Sequence, residues 1–463
     1  RDPSRMAEVL NRVIEKAIRG SAPAQINVPR DYWCQVVDID LPPIVRLERQ
    51  GGGNDAVREA ADLLSKAKFP VILSGAGVVI GGAIEATKKL AEKLDSPVCS
   101  GYQHNDSFPG SHPLAVGPLG YNGSKAAMEL ISKADVVLAL GTRLNPFSTL
   151  PGYGIDYWPK NANIIQVDIN PDRIGLTKKV TVGISGDAKL VAEQILEKLS
   201  SNAGDIDRQA RKDLIHQTKS AWLQKLSSLD HEDDDEGTVW NKEARERDAD
   251  RMSPRQAWRA IQAGMPEDVI ISSDIGNNCA IGNAYPTFEK PRKYLAPGLF
   301  GPCGYGFPSI LGAKIGCPDT PVIGFAGDGA FGISMNEMSS CAREEWPAIT
   351  MVIFRNYQWG AEKRNTTLWF DNNFVGTELD PELSFAKVAE ACGLKGVTVK
   401  TMEETTAAIK QSCADQKKGI TTFIEVILNQ ELGEPFRRDA MKKPVRVAGI
   451  KKEDMKKQPS LIS

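Results

Sequence analysis

The chain has 463 residues, 41% hydrophobic and 25% charged, and a formal net charge of −2. These values are typical of a globular protein with two or three domains, and they give no indication of nucleic-acid binding. No apolar run is long enough to cross a membrane, so no membrane attachment is expected. The eight cysteines include no Cys-x-x-Cys pair. This excludes the usual zinc and disulfide frameworks and favours the reducing cytoplasm.

The first segment, residues 1–35, is predicted to contain one amphipathic helix and then a strand at 24–28. One helix and one strand cannot bury a core, so we expect this segment to be the end of a domain that begins before the chain does. Prolines and a run of three glycines mark residues 36–53 as a linker.

Residues 54–200 are predicted to form a Rossmann-like domain with a parallel sheet. A helix at 56–67 precedes a buried strand at 70–74, and further strands are expected at 134–140 and 163–168. Gly75-Ala-Gly77 follows the first strand, but its spacing is not that of the dinucleotide fingerprint. Tight turns between strand and helix are therefore preferred to a nucleotide site, which stays an alternative.

Residues 201–252 are read as a charged connector with an acidic loop, and a further domain is placed at 253–430. This domain should begin with a helix at 254–264 and a strand at 268–274. The turn Gly276-Asn277-Asn278 follows, and its small and amide residues suit hydrogen bonds to a phosphate group. A simple Asn-rich turn is the alternative.

The glycine- and proline-rich loop 299–308 has a backbone that can lie against a flat ring. A βαβ unit then spans 321–358, with a capping box at 334–337 predicted to begin its helix. Its two strands end at Asp328 and Asn356. Because the carboxyl ends of parallel strands meet at one edge, this carboxylate and amide should form an oxygen site for Mg²⁺ near a phosphorylated ligand.

A polar loop at 359–365 is expected over the same edge. Its Lys363 and Arg364 are candidates for binding a sulfonate or a phosphate, although solvated surface charge explains them equally well. The last elements are predicted as helices at 386–392 and 402–414 and a strand at 421–427. Residues 431–463 form a basic tail, read as a lid or a surface arm carrying Arg437 and Arg438.

One motif connects the chain to a known family. Gly327-Asp328-Gly329, followed after 26 residues by Asn356, resembles the metal–diphosphate motif of thiamine diphosphate enzymes. The stretches 324–337 and 356–365 resemble the sulfoacetaldehyde acetyltransferases in particular. The resemblance implies an α/β fold in which a Rossmann-like middle domain precedes a parallel-sheet domain that binds the cofactor. It also implies thiamine diphosphate and Mg²⁺ as cofactors, sulfoacetaldehyde and phosphate as substrates, acetyl phosphate and sulfite as products, and a homodimer or homotetramer in the cytoplasm.

The resemblance also assigns roles to residues. Asp328 and Asn356 would bind Mg²⁺ through their side chains and Gln358 through its backbone carbonyl. The other predicted cofactor contacts are Gly276, Asn277, Asn278, Gly301, Cys303, Gly329 and Ala330. The glutamate that activates the cofactor in this family would lie before the first residue of this chain.

Two positions depart from the family pattern. Cys303 occupies the place where relatives carry a larger residue that bends the cofactor, and a nucleophilic cysteine is the rival interpretation there. Arg355 replaces an asparagine that precedes the metal-binding one in many relatives, and this change is expected to be neutral.

Three alternative functions stay open. The first is an acetolactate synthase-like enzyme that acts on pyruvate. The second is a nucleotide-binding protein of Rossmann-like domains without catalysis. The third is a cofactor-binding fragment that is inactive without the domain expected to precede it.

Overall fold

The computed structural model describes residues 2–20, 22–43, 48–230, 242–298, 300–370 and 372–431. Most of the predicted acidic loop and nearly all of the predicted basic tail, with Arg437 and Arg438, lie outside these residues. The chain divides into two compact units. The first comprises Arg1–Ser96, Asp135–Leu144 and Asn161–Arg208, and the second comprises Pro97–Ala134, Asn145–Lys160 and Gln209–Ser463.

The strands are short and apolar, and the described pairings between them are parallel. In chain order they are β1 Pro70–Ser74, β2 Val98–Ser100, β3 Ala115–Pro118, β4 Val136–Leu140, β5 Asn163–Asp168, β6 Val182–Ser185, β7 Ile270–Ser273, β8 Tyr294–Leu295, β9 Val322–Gly327, β10 Thr350–Arg355, β11 Lys395–Val399 and β12 Thr422–Ile427. Parallel strands need crossover connections, which the helices supply.

The α-helices, in chain order, are α1 Met6–Gly20, α2 Asn54–Lys66, α3 Ala76–Gly81, α4 Ile84–Leu94, α5 Lys125–Ile131, α6 Ala188–Lys198, α7 Arg208–Ser228, α8 Lys242–Arg247, α9 Pro254–Gly264, α10 Asn277–Ile281, α11 Gly306–Gly316, α12 Asp328–Ser334, α13 Met338–Cys341, α14 Gly360–Trp369, α15 Phe385–Ala391 and α16 Met402–Gln416. Within the described residues, no helix combines the length and apolarity that a membrane span requires. The predicted α/β fold class is confirmed.

In the first unit, β1, β4, β5 and β6 lie side by side in that order. All residues of β1 and β4 are buried, because helices cover a sheet of this kind on both faces. The turns after these two strands touch: the Gly77 N–H donates to the carbonyl of Gly141 over 2.8 Å. A Cβ atom on Gly77 would lie 2.7 Å from Cα of Gly141, so this glycine permits a close backbone approach.

The second unit contains the β2–β3 pair and a six-stranded sheet in the order β11-β12-β10-β9-β7-β8. Alternate residues of the central strands face opposite sides of this sheet. On one side, the indole of Trp258 in α9 packs 4.8 Å from the ring of Phe325 and 5.4 Å from that of Phe354. On the other, Phe307 of α11 lies 5.4 Å from Phe423 of β12. Helices therefore bury both faces, and ligands can approach only at the strand ends.

Several local predictions are wrong. Residues 22–43 contain no strand, so the expected strand at 24–28 does not form. The helix after β9 begins at Asp328, not at the predicted capping box, and the Ser334 side chain makes no capping bond there. The expected polar loop at 359–365 is largely helix α14, and strands β2, β3, β6, β8 and β11 were not predicted. The other predicted helices and strands occur, with ends displaced by a few residues.

Candidate cofactor site

The site lies where three neighbouring strands end. Strand β9 is hydrogen-bonded to β10 on one side and to β7 on the other, and all three run parallel. Asp328 follows β9 directly, and Asn356 follows β10. The two residues of the predicted metal motif therefore stand at one edge of the sheet, as the βαβ interpretation expected. Residues 276–278, predicted as a turn, follow β7 at the same edge, where Gly276 precedes helix α10 and Asn277 and Asn278 are its first residues.

A cavity of about 490 Å³, which includes space open to solvent, occupies this edge. Most of the residues predicted for the cofactor and the metal line it, namely Gly276, Asn277, Asn278, Cys303, Asp328, Gly329, Ala330, Asn356 and Gln358. Gly301, Lys363 and Arg364 do not belong to its lining. Segments that are distant in sequence thus converge on one space.

Asp328 is 2% exposed, and backbone and side-chain donors surround its carboxylate. Oδ1 accepts a hydrogen bond from the N–H of Gly329 over 3.0 Å. Oδ2 accepts the N–H of Tyr357 over 2.7 Å and Nη1 of Arg355 over 3.1 Å. Burial raises the pKa of Asp328 to about 6, and the positive charge of Arg355 opposes this rise.

Arg355, which the sequence analysis expected to be a neutral replacement, lies in a network of charged groups at the site. Its side chain is buried, and besides Asp328 it forms an ion pair with Glu425, where Nε lies 3.6 Å from Oε1. The backbone carbonyl of Leu383 accepts a further hydrogen bond from Nη2 over 3.0 Å. The position where this chain departs from the family pattern is therefore part of the site's charge network.

Several polar atoms of the cavity have no partner among the described residues. They include Asn277 Nδ2, Asn278 Oδ1 and Gln358 Oε1, and all three side chains are buried. Buried polar atoms normally form hydrogen bonds, so unpartnered ones mark a place where a ligand or water belongs. Amide donors and acceptors suit a diphosphate with its metal, so the residues present fit the cofactor that the motif implies.

A metal at this site would need oxygen atoms from several sources. In the described part of the chain, no group of three or more His, Cys, Asp and Glu side chains could hold a metal ion. Asp328 and Asn356 therefore supply too few ligands by themselves. Mg²⁺ commonly completes its shell with water and with the phosphates of a bound ligand, and such a site needs only one carboxylate.

Lys363 and Arg364 are buried rather than solvated, each 4% exposed. Lys363 forms an ion pair with Glu378. Arg364 donates a hydrogen bond to Tyr121 and, over 3.1 Å, another to Oδ1 of Asn277. Arg364 therefore reaches a cavity residue, whereas Lys363 already has a carboxylate partner.

Cys303 lines the cavity but has no activating environment. Burial raises the pKa of its thiol, and the carboxylates of Asp274 and Glu362 raise it further. A protonated thiol is a poor nucleophile, which weighs against the nucleophilic interpretation. Gly301 has φ +69° and helps to turn the same loop, but lies outside the cavity wall.

Asp274 organises this loop, and the sequence analysis missed it. Its carboxylate accepts N–H groups from Ile275 over 2.8 Å, Gly304 over 3.1 Å and Gly306 over 2.7 Å. Burial raises the pKa of the Asp274 carboxyl, and these donors oppose the rise. An Asp at a strand end, followed some thirty residues later by a glycine-rich loop, was the available signal.

Trp359 and Glu362 were also missed, because their segment was read as a loop. Both line the cavity from the beginning of α14, and the spacing of three places them on one helix face. A Cβ atom on Gly329 would lie 2.8 Å from the indole of Trp359, so that glycine permits close packing. Glu362 is the only carboxylate besides Asp328 in the described lining.

Comparison with known proteins agrees with this geometry. The family described as "Thiamine pyrophosphate enzyme, central domain" matches residues 57–195. The family described as "Thiamine pyrophosphate enzyme, C-terminal TPP binding domain" matches residues 274–426. A crystal structure of benzoylformate decarboxylase from Polynucleobacter necessarius has a similar fold, with a TM-score of 0.69 at 19% identity. The match covers 93% of this chain and 75% of that one.

Two relatives are much closer in sequence. A probable sulfoacetaldehyde acetyltransferase of Rhizobium meliloti is 77% identical over 458 residues, which cover 99% of this chain and 78% of the relative. A sulfoacetaldehyde acetyltransferase of Roseovarius nubinhibens is 72% identical and covers 99% and 76%, respectively. The chain therefore belongs to the sulfoacetaldehyde acetyltransferase family of thiamine pyrophosphate enzymes.

Proposed function

We propose that the protein converts sulfoacetaldehyde and phosphate into acetyl phosphate and sulfite, with thiamine diphosphate and Mg²⁺ as cofactors. The observation that carries the proposal is the convergence of the family's motif residues on one cavity at the sheet edge. The reaction balances without an external oxidant. The aldehyde carbon is oxidised to the acyl level, while the neighbouring carbon loses sulfite, takes up a proton and is reduced from a methylene to a methyl group.

Different groups of the described residues would bind the metal, the diphosphate and the aminopyrimidine ring of the cofactor. Asp328 and Asn356 would bind Mg²⁺ through side-chain oxygens and Gln358 through its carbonyl. The diphosphate would lie against the beginnings of helices α10 and α12, which contain Gly276, Asn277, Asn278, Gly329 and Ala330. Gly301 and Cys303 belong to the loop proposed to meet the aminopyrimidine. When bound, thiamine diphosphate supplies a nucleophilic carbon and an electron sink.

The chain's own residues set the conditions for this chemistry. Asp328, Asn356 and Gln358 are each 2% exposed, so their polar groups act in partly desolvated surroundings, where electrostatic interactions are stronger than in water. Glu362 offers a carboxylate that can accept or return a proton in the cavity. Arg364, through Asn277, places positive charge beside the predicted diphosphate position. These are positioning and electrostatic contributions.

Arg364 is also the better of the two candidate anion-binding residues. Lys363 is engaged by Glu378, so its charge is largely neutralised. Arg364 donates hydrogen bonds to the hydroxyl of Tyr121 and to the side-chain amide of Asn277, so its guanidinium group lies beside a residue of the cavity wall. We propose that this charge favours the binding of the anionic substrates, sulfoacetaldehyde and phosphate.

We further propose that the protein acts as a homodimer or homotetramer in the cytoplasm. All eight cysteines are free thiols, as is usual in a reducing compartment.

The test is an assay of sulfite release from sulfoacetaldehyde in the presence of phosphate, Mg²⁺ and thiamine diphosphate, each omitted in turn. Sulfite and acetyl phosphate should appear in equal amounts, and both should vanish when any component is omitted. Asp328→Ala should abolish them, whereas the exposed Asp319→Ala should not. Carbon dioxide from pyruvate, with no sulfite from sulfoacetaldehyde, would instead indicate the acetolactate synthase-like alternative.

A further inference from the structure

Arg355 is unusual among the residues around the cavity because it is a buried cation at the end of a central strand. Its guanidinium group has four partners: the carboxylates of Asp328 and Glu425, and the backbone carbonyls of Asp380 and Leu383. A planar guanidinium group with five N–H donors can contact all four of these partners, whereas the compact ammonium group of a lysine cannot reach all of them. The side chain is therefore held in one orientation.

The same guanidinium also supports the turn that follows β10. Its central carbon lies 4.2 Å from the centroid of the Tyr357 ring. Tyr357 has φ +62°, a conformation that costs energy in a residue other than glycine and needs support from its surroundings. This turn carries Asn356 and Gln358, two of the three proposed metal ligands, on either side of Tyr357.

The hydrogen bonds to Asp328 distinguish its two oxygens. Oδ2 receives two donors, Arg355 Nη1 and the N–H of Tyr357, while Oδ1 receives one, the N–H of Gly329. A carboxylate oxygen can accept about two such bonds, so Oδ1 keeps a free acceptor position. The carboxylate is prevented from rotating, and one oxygen is left for a ligand.

We propose that Arg355 is a positioning residue for the metal site: it orients Asp328 and supports the Tyr357 turn, so that all three proposed metal ligands point to one ion. The inference rests on the proposed function, because it takes Mg²⁺ to be the ion. It assigns a role to the position at which this chain departs from the asparagine of the related motif.

The experiment measures Mg²⁺ binding rather than turnover. Mg²⁺ is titrated calorimetrically into the protein with saturating thiamine diphosphate, and the heat of the protein-free mixture is subtracted. Arg355→Lys keeps the positive charge but loses the planar guanidinium group, and Arg355→Asn restores the asparagine of the related motif. Residues that support a metal ligand typically change affinity tenfold to a hundredfold when substituted, so both variants should bind Mg²⁺ at least about tenfold more weakly.

Two control variants distinguish a positioning role of Arg355 from a general loss of protein stability. Arg343→Asn removes an exposed arginine whose ion pair with Glu345 spans 2.7 Å, and it should bind Mg²⁺ like the parent protein. Glu425→Gln disturbs the other side of the Arg355 network, including the 2.7 Å bond from Ser384 Oγ, but leaves Asp328 with its donors. It should lower the melting temperature, and it should weaken Mg²⁺ binding less than Arg355→Lys does, because the guanidinium group still reaches Asp328.

The outcomes are distinct. Parent-like Mg²⁺ affinity in a folded Arg355→Lys variant would overturn the inference and leave the proposed function intact. Equal losses of affinity in Arg355→Lys and Glu425→Gln would also overturn it, since Arg355 would then act only through stability. Absence of Mg²⁺ binding by the parent protein with thiamine diphosphate would overturn the proposed function together with the inference. If Arg355→Asn does not fold, Arg355→Lys decides.

Discussion

Nη1 of Arg364 lies 3.1 Å from Oδ1 of Asn277. The guanidinium group of a residue on helix α14 therefore holds the side-chain amide of Asn277, the first residue of helix α10. The hydroxyl of Tyr121 donates to the same oxygen over 3.1 Å. With its oxygen occupied twice, the amide must direct Nδ2 elsewhere, and Nδ2 has no partner among the described residues. A donor fixed in this way is preorganised for an anionic ligand.

Replacing Arg364 should therefore weaken cofactor binding. Arg364→Met removes a charged hydrogen bond, and such bonds contribute about 1.5–3 kcal/mol. The dissociation constant of thiamine diphosphate, measured by calorimetry at saturating Mg²⁺, should rise roughly tenfold to a hundredfold. Lys363→Met, which removes the neighbouring cation but not the contact with Asn277, is the matched control. A stronger effect of Lys363→Met than of Arg364→Met would contradict this prediction.

Gly329→Ala should disturb the cavity through a steric clash. The added methyl group would lie 2.8 Å from the indole of Trp359, closer than two carbon atoms can approach. Because the neighbour is a ring within a helical turn, we expect Trp359 to move and cofactor affinity to fall at least about tenfold. A shift in tryptophan fluorescence should accompany the loss. Gly332→Ala, in the same helix with open space at its Cβ position, should change neither quantity.

The acidity of Asp328 predicts a pH dependence for metal binding. Burial raises the pKa of this carboxyl to about 6, and only the ionised form attracts Mg²⁺. Affinity should therefore be nearly constant above pH 7 and should fall as the pH drops through about 6. Calorimetric titrations between about pH 5 and 8 would measure this, with the Mg²⁺–thiamine diphosphate complex in buffer as the reference for the diphosphate's own titration. A pH-independent affinity after that correction would contradict the prediction.

Asp274 should be needed for the loop that borders the cavity. Asp274→Ala removes the acceptor for three backbone N–H groups, of which the Gly306 N–H is buried, and a buried donor left unpaired costs about 1–3 kcal/mol. We expect a marked drop in melting temperature by circular dichroism, larger than that of Asp268→Ala. Asp268 is half exposed and forms its ion pair with Lys293 at the surface, over 2.7 Å. Equal melting temperatures for the two variants would show that the loop does not depend on Asp274.

The thiol of Cys303 should be dispensable for chemistry. Since burial raises the pKa of this group, alkylation by iodoacetamide at neutral pH should be slower at Cys303 than at the exposed Cys34 and Cys317. Peptide mapping by mass spectrometry would give the relative rates. Cys303→Ala should retain sulfite release within about tenfold. Complete loss of activity in this variant, with cofactor binding unchanged, would revive the nucleophilic interpretation.

The sequence by itself determined the family, the α/β class and the place of the metal motif. Apolar β-branched runs predicted β9 and β10, and the interval between Asp328 and Asn356 matched one βαβ unit. Such features are local: a strand's residues identify it, and the rule for parallel strands then brings their carboxyl ends together. The prediction therefore required no knowledge of distant contacts.

Tertiary structure alone decided what the charged residues do. Lys363 is buried and forms an ion pair with Glu378. Arg364 is buried and donates a hydrogen bond to Tyr121, which lies far away in the chain. Arg355 is buried among Asp328, Glu425 and two backbone carbonyls, and this environment is the basis for the positioning role that we propose for it. A side chain's charge is readable from sequence, but its burial and partners depend on segments that only the fold brings together. For that reason the sequence predicted most of the residues that line the cavity, while the structure showed which charged side chains are buried beside it and which partners they have.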